Sequence, residues 1–434
     1  MNNKIKIALV SNDKVGSVMA GPGIRYWELA KAFSANFPTV LFVPDSCDMK
    51  SDSFEIKTYA SQKASGSIGK QLGGVTHLVA QSLRPPLLSK INKENIVYIA
   101  DLYDPLVIEV LEYTRYDSAA VKNTTFMFNY YSLMLQIHAA SHLLCSSEEQ
   151  KSYYLGLLSG QKLIGPTEYS DSPDFSKYIS IAPFGMQDKL SPANDPEALE
   201  KRFPSIKKTD QLIYWGGGVW NWFDPISVIK ALEIIARKRD DVKLFFVGVK
   251  HPNPKIKDME MAAKAVEYCK EKDLIDKVVF FNFDWTPYEE RINFLKRAKI
   301  GVSAHFENLE TRFSFRTRIL DYLWAELPIV ATRGDGFANQ IEKEKLGITA
   351  DYENPAEIAS AIENILNDQK LNDEIKDNIK RVKPQYYWKN IVLPIVKLIE
   401  TDQLKPKKIS AFQFMNESLN FYYAGLKKKL RKNG

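Results

Sequence analysis

Glu310-Thr311-Arg312-Phe313-Ser314-Phe315-Arg316-Thr317-Arg318-Ile319-Leu320-Asp321-Tyr322-Leu323-Trp324-Ala325-Glu326-Leu327-Pro328-Ile329-Val330-Ala331-Thr332 is the most informative stretch of the chain. It reads as a loop, an amphipathic helix from Phe315 to Ala325, a short turn and a buried strand from Ile329 to Ala331. Arg312, Arg316 and Arg318 crowd the helix start. The helix dipole disfavours cations there unless an anion sits nearby, and a guanidinium grips phosphate oxygens well. Asp321, one turn further in, suits hydroxyl groups of a ribose. The plainer alternative is a solvated face of ion pairs.

Working outward, the same grammar recurs on both sides. Leu212–Trp215 is a strand followed by Gly216-Gly217-Gly218 and a helix from about Pro225 to Lys238. Three glycines between a strand and a helix suit a diphosphate lying on backbone N–H groups. Trp220 and Trp222 beside them are either core or a ligand wall, and Asn221 lies between the two. The third glycine is misplaced for a dinucleotide fingerprint. Strands follow at 242–247, 278–281 and 300–303, and helices at 259–272, 287–298 and 355–367. Phe283-Asp284-Trp285 follows a strand and is placed to border a base, and His305 lies in the loop before the arginines.

The first half repeats the alternation. Strands are expected at 5–10, 40–43, 96–100, 142–145 and 179–182, with an aromatic-rich buried helix over 123–140. Ala20-Gly21-Pro22-Gly23-Ile24-Arg25 follows the first strand as a glycine loop, with the helix expected from Ile24. It is either a tight turn or a place where backbone and Arg25 meet an acceptor. Asp101 and Asp104 lie at a strand's C-terminal end, where open α/β sheets bind ligands. Asp104 before Pro105 also suits a helix cap. His138 and His142 have helical spacing but lack the glutamate of a zinc motif.

Alternating strands and helices imply an α/β protein with parallel sheets. The expected domains are 1–185, a linker at 186–208, 209–385, a helix at 386–402 returning to the first domain, and a tail at 403–434. With 434 residues, 45% hydrophobic and 26% charged, the chain is an ordinary globular one. No apolar run reaches the roughly 20 residues of a bilayer span, and the N-terminus does not read as a signal peptide. Three scattered cysteines fit a reducing cytoplasm. The net charge of +6 resides in the tail, where eight Lys or Arg face one acid, Glu417. The near-neutral body argues against nucleic acid as a partner. Phe412, Met415, Leu419, Tyr422, Leu426 and Leu430 would share one face of a tail helix. That face is expected to meet a membrane surface, or else to dock on the protein itself or a partner subunit.

The ordered set of motifs resembles the retaining GT-B glycosyltransferases of glycosyltransferase family four. Asp321-Tyr322-Leu323-Trp324-Ala325-Glu326-Leu327-Pro328-Ile329-Val330-Ala331 fills the second half of that family's signature. The early glycine loop, the strand ending at Asp101, Ile181-Ala182-Pro183-Phe184-Gly185 and Val247-Gly248 fall where the family has them. The resemblance spans about residues 4–400. It implies two Rossmann-like domains facing across a cleft, with an acceptor-binding first domain (Gly21, Gly23, Arg25, Asp104) and a donor-binding second one. It implies a nucleotide-diphosphate sugar as donor, a glycan or glycolipid acceptor, no metal or other cofactor, and a role in bacterial surface polysaccharide. Arg316, Arg318 and Asp101 would be the catalytic groups. Gly216, Gly217, Gly218, Asn221, Asp321 and Glu310 would hold the donor together with the two arginines.

Two departures matter. Phe313 stands where the family's first acidic residue belongs, leaving Glu310 or Glu307 to replace it. The family's Arg and Lys after the first strand of the second domain are missing, so Arg316 and Arg318 would supply the phosphate charge. The alternatives are a nucleotide-sugar 2-epimerase or hydrolase of the same architecture, or a binding module without turnover.

Overall fold

The computed structural model describes residues 5–189, 192–249, 258–284, 286–287 and 290–432. The chain forms two compact units, Met1–Phe184 with Trp388–Gly434, and Gly185–Tyr387.

Unit 1 is built on a sheet of seven strands: β1 (Ile7–Val10), β2 (Thr39–Pro44), β3 (Glu55–Tyr59), β4 (His77–Ala80), β5 (Val97–Asp101), β6 (His142–Cys145) and β7 (Ile179–Ile181). Their order is β3-β2-β1-β4-β5-β6-β7 and every pairing is parallel. Unit 2 has six: β8 (Gln211–Trp215), β9 (Val242–Phe246), β10 (Val279–Phe281), β11 (Ala298–Ser303), β12 (Ile329–Thr332) and β13 (Gly347–Ala350). Their order is β10-β9-β8-β11-β12-β13, again all parallel. Both sheets are doubly wound. The strand order reverses beside β1 in one unit and beside β8 in the other, and such switch points open a crevice at the strands' C-terminal ends.

The strands form where apolar residues run without interruption. Ile7, Ala8, Leu9 and Val10 are all buried, as are Leu212 to Trp215. This is the mark of a sheet covered on both faces. β3, β4 and β13 were not among the expected strands. β3 is an edge strand with exposed Glu55 and Thr58, and the other two are four residues long. The glycine loop is also different from expectation. The first helix begins at Gly21, so Gly21-Pro22-Gly23 form its opening turn, with Pro tolerated there because that turn lacks N–H acceptors. A Cβ at Gly23 would lie 2.3 Å from the Lys14 carbonyl oxygen, so only glycine fits.

The aromatic helix runs from Ala119 to Ala139, but only Leu133–Ala139 is buried throughout. Its first half carries the half-buried Phe126, Phe128, Tyr130 and Tyr131. A second long helix, Ala411–Lys432, packs on it. The 386–402 region forms short helices, Trp388–Ile391 and Leu393–Glu400, within unit 1. The 185–208 segment belongs to unit 2, where Glu200 pairs with Arg297 at 2.7 Å.

Candidate functional site

The residues of interest in unit 2 gather at its switch point. Trp215 ends β8 in the core and the chain passes through Gly216-Gly217-Gly218. Gly217 has φ +70°, which favours glycine. The amides of Gly217 and Gly218 find no acceptor among the described residues, whereas the Gly216 amide donates to the Tyr322 hydroxyl at 2.8 Å. Tyr322 in turn donates to the Val302 carbonyl at 2.7 Å, tying the glycine loop to β11. Asp224 then caps the helix Pro225–Ala236 through Ser227 N at 3.0 Å.

Tyr322 fits because β11 carries no side chain beneath it. A Cβ at Gly301 would stand 2.3 Å from its ring. Gly301→Ala is expected to cost about 1–3 kcal/mol of stability and to weaken ligand binding at the glycine loop. Thermal unfolding and a nucleotide titration check both effects.

Arg318 lies in the helix Thr317–Trp324, directly against this loop. Its Nη2 donates to the Gly218 carbonyl at 2.8 Å. The guanidinium is 4.6 Å from the Trp215 ring centroid and 3.8 Å from that of Phe223. The residue is 7% exposed, has no carboxylate partner among the described residues, and its Nη1 has no hydrogen-bond partner. Burial pulls its pKa down to about 10. Buried cations are normally paired, and among the described residues this one has no carboxylate within ion-pair distance.

Arg316 is different. It donates to both oxygens of Glu310 at 2.9 Å, and its Nε is 3.4 Å from Asp335. Asp335 also meets His305 Nε2 at 2.9 Å and caps the helix Gly336–Glu344 through Ala338 N. Burial alone would raise the Asp335 pKa, but the His305 hydrogen bond and the charges of His305 and Arg316 outweigh it and hold it down. Glu310, Arg316, Asp335 and His305 are thus one buried network. Arg316 was expected to share the phosphate with Arg318, but its charge is already answered. Arg312 is exposed. Of the two candidate acids, Glu310 is committed to Arg316 and Glu307 is exposed. Asp335 was missed from sequence. Its signal was the Gly334-Asp335-Gly336 turn after β12.

Asp321 follows Arg318 by three residues and pairs with Arg291 at 2.8 Å. Burial raises its pKa against the pull of Arg291 and Arg318. Asn221 is buried and its Oδ1 accepts from Met261 N at 3.3 Å, which anchors the helix Glu260–Glu271. Trp220 and Trp222 stack at 5.3 Å, Trp222 in the core. Phe283 is exposed, and Trp285 falls outside the described residues.

In unit 1 the expected catalytic Asp101 and acceptor-binding Arg25 meet each other. Arg25 Nε and Nη2 donate to the two carboxylate oxygens at 2.8 and 2.5 Å. Its remaining reach goes to the Pro183 and Ala182 carbonyls at 2.8 and 2.9 Å. Both side chains are fully buried. Burial alone would lower the Arg25 pKa, yet Asp101 outweighs it and holds it above the usual value. The pair staples the first helix to β5 and to the residues after β7. Asp104 is half-buried, and its carbonyl accepts from Leu106 N and the Tyr154 hydroxyl. The helix after it is Leu106–Tyr113, with Pro105 rather than Asp104 at the cap position. Gly21 is exposed and Gly23 is packed on Lys14. His138 bonds the Met134 carbonyl, and His142 bonds the Lys177 carbonyl and Ser180.

No curated protein sequence matches the chain. Among solved structures it is similar to sucrose-phosphate synthase from Thermosynechococcus elongatus, with 14% identity, TM-score 0.62, and 92% of this chain and 98% of that one covered. Anabaena HepE in complex with UDP-glucose has 13% identity and TM-score 0.62, with 92% and 99% covered. WaaG, a glycosyltransferase involved in lipopolysaccharide biosynthesis, has 12% identity and TM-score 0.58, with 92% and 98% covered. These likenesses show the fold as GT-B. Within unit 2, residues 199–382 match the family model described as glycosyl transferases group 1, the segment that carries both the glycine loop and Arg318.

Proposed function

We propose that this chain transfers a sugar, with retention, from a nucleotide-diphosphate sugar to a glycan or lipid-linked acceptor in bacterial surface-polysaccharide synthesis. The observation that carries the proposal is Arg318, a buried guanidinium that among the described residues has no carboxylate within ion-pair distance, held beside the Gly217 and Gly218 amides, which find no acceptor there, at a doubly wound switch point. The group 1 match over the same residues, the UDP-glucose bound to HepE and the involvement of WaaG in lipopolysaccharide biosynthesis support it.

In this reading the anomeric carbon's bond to the diphosphate breaks, and the acceptor oxygen bonds to that carbon on the same face. The acceptor's proton passes to the departing phosphate oxygen. Arg318 and the amides of Gly217 and Gly218 stabilise the charge that develops there, where fixed donors act most strongly. The sequence has no Asp-x-Asp pair to hold a diphosphate-bound metal, so side chains and amides carry the electrostatics. Turnover of a panel of nucleotide sugars is expected to proceed unchanged in chelator and to give a product of the donor's anomeric configuration. A strict need for Mg²⁺ or Mn²⁺ overturns the metal-independent route. Donor cleavage that ignores the acceptor would make the chain a hydrolase, and binding without turnover would make it a binding module.

Asp321 is the proposed ribose contact, kept in place by Arg291. Asp321→Ala is expected to weaken donor binding by about 1.5–3 kcal/mol while the acceptor KM stays unchanged. Parallel loss for donor and acceptor would make Asp321 a structural partner of Arg291 alone.

A further inference from the structure

The helix Ala411–Lys432 uses two opposite faces differently. Phe414, Phe421, Ala424, Gly425 and Lys428 turn towards the helix Ala119–Ala139. Phe421 meets Phe128 at 5.3 Å, Lys428 lies 4.6 Å from the Phe128 ring, and Arg431 donates to the Ala120 carbonyl at 3.0 Å. The two helices therefore run antiparallel. Phe412, Met415, Leu419, Tyr422, Leu426 and Leu430 are each between 50% and 78% exposed. The alternative in which this stripe docks on the protein itself is corrected: that docking is done by the other side of the helix.

At 100° per residue the stripe, with Tyr423, fills an arc of about 100°, flanked by Lys427 on one side and Lys429 on the other. The charge is one-sided as well. The helix Ala119–Ala139 has no Asp or Glu, and Ala411–Lys432 has five Lys or Arg against Glu417 alone. Glu417 is half-buried, and burial raises its pKa. Among the described residues no helix is long and apolar enough to cross a membrane. An apolar, tyrosine-bearing stripe with lysines on both margins is matched by a bilayer interface, where anionic headgroups meet the lysines and the acyl boundary takes the leucines.

We propose that Ala411–Lys432, braced by Ala119–Ala139, rests in the plane of an anionic bilayer with Phe412, Met415, Leu419, Tyr422, Leu426 and Leu430 inserted. The test needs no turnover, so it stands apart from the transferase reading. The full chain is sedimented with phosphatidylcholine vesicles and with vesicles containing about one third phosphatidylglycerol. It is expected to pellet with the anionic vesicles and to be released by salt. Leu419→Gln, Tyr422→Gln and Leu426→Gln together change only exposed positions, so thermal unfolding should be preserved while partitioning falls by about tenfold or more. Lys427→Gln with Lys429→Gln should erase the preference for anionic vesicles. Equal pelleting of the apolar triple variant and the unmodified chain overturns the proposal, as does equal pelleting with both vesicle types. A dimer in sedimentation velocity that the triple variant dissolves would give the stripe to a second copy and also overturns it.

Discussion

Arg318→Met should abolish most donor turnover and leave the protein folded. The methionine fills much of the space between Trp215 and Phe223 and removes a buried cation that among the described residues has no carboxylate within ion-pair distance. Stability should hold or rise, because a buried charge without its pair is costly. The loss of kcat/KM should be about 10²- to 10³-fold, the scale for removing one fixed donor from a site of developing charge. Thermal shift with UDP, GDP and ADP should lose its ligand-dependent increment. Burial lowers the Arg318 pKa to about 10, which leaves the guanidinium charged at neutral pH. Arg316→Met gives the opposite signature. It strands Glu310 and Asp335 without their cation and should cost about 3–5 kcal/mol of stability. Wild-type kcat/KM in Arg318→Met would reduce the guanidinium to packing, and the donor site would have to lie elsewhere.

That contrast also shows how far the sequence could be read. Arg316 and Arg318 are two residues apart, of one type, at one helix start, and nothing local separates them. What separates them is the position of Glu310, six residues back, and of Asp335, nineteen residues on across β12. The two-domain α/β architecture was legible because β1, β2, β5 and β8 each hold four consecutive apolar residues, and β9 and β11 hold Leu244–Phe246 and Ile300-Gly301-Val302 after a single lysine. β3 was not, because an edge strand alternates, and Glu55-Ile56-Lys57-Thr58-Tyr59 resembles a loop. The tail stripe was legible from its period, but period alone does not say which side of a helix is covered. Phe414 and Phe421 compete with it as a second apolar face, and only the contact of Phe421 with Phe128 and the packing of both on the unit 1 core decide. The Gly216 amide was read as a phosphate donor because the hydroxyl that takes it, on Tyr322, is more than a hundred residues away.

The same distance problem makes Asp101 the sharpest test in unit 1. A carboxylate at a strand's C-terminal end in a doubly wound sheet is where a catalytic acid belongs, and Arg25 is the reason to expect otherwise. The two side chains are fully buried, seventy-six residues apart, and joined by two hydrogen bonds, with the rest of the guanidinium on the Ala182 and Pro183 carbonyls. Asp101→Asn should therefore destabilise the protein by about 3–5 kcal/mol, since it leaves a buried guanidinium without its counter-charge. Urea unfolding followed by far-ultraviolet circular dichroism measures the loss. Arg25→Met with Asp101→Leu removes both charges at similar volume and should recover most of that loss, because a buried pair replaced whole is often neutral. If the pair is a staple, the double variant transfers sugar with kcat near that of the unmodified chain at temperatures where both are folded. If Asp101 is catalytic, Asp101→Asn keeps its stability, loses kcat, and the double variant stays inactive however well it folds.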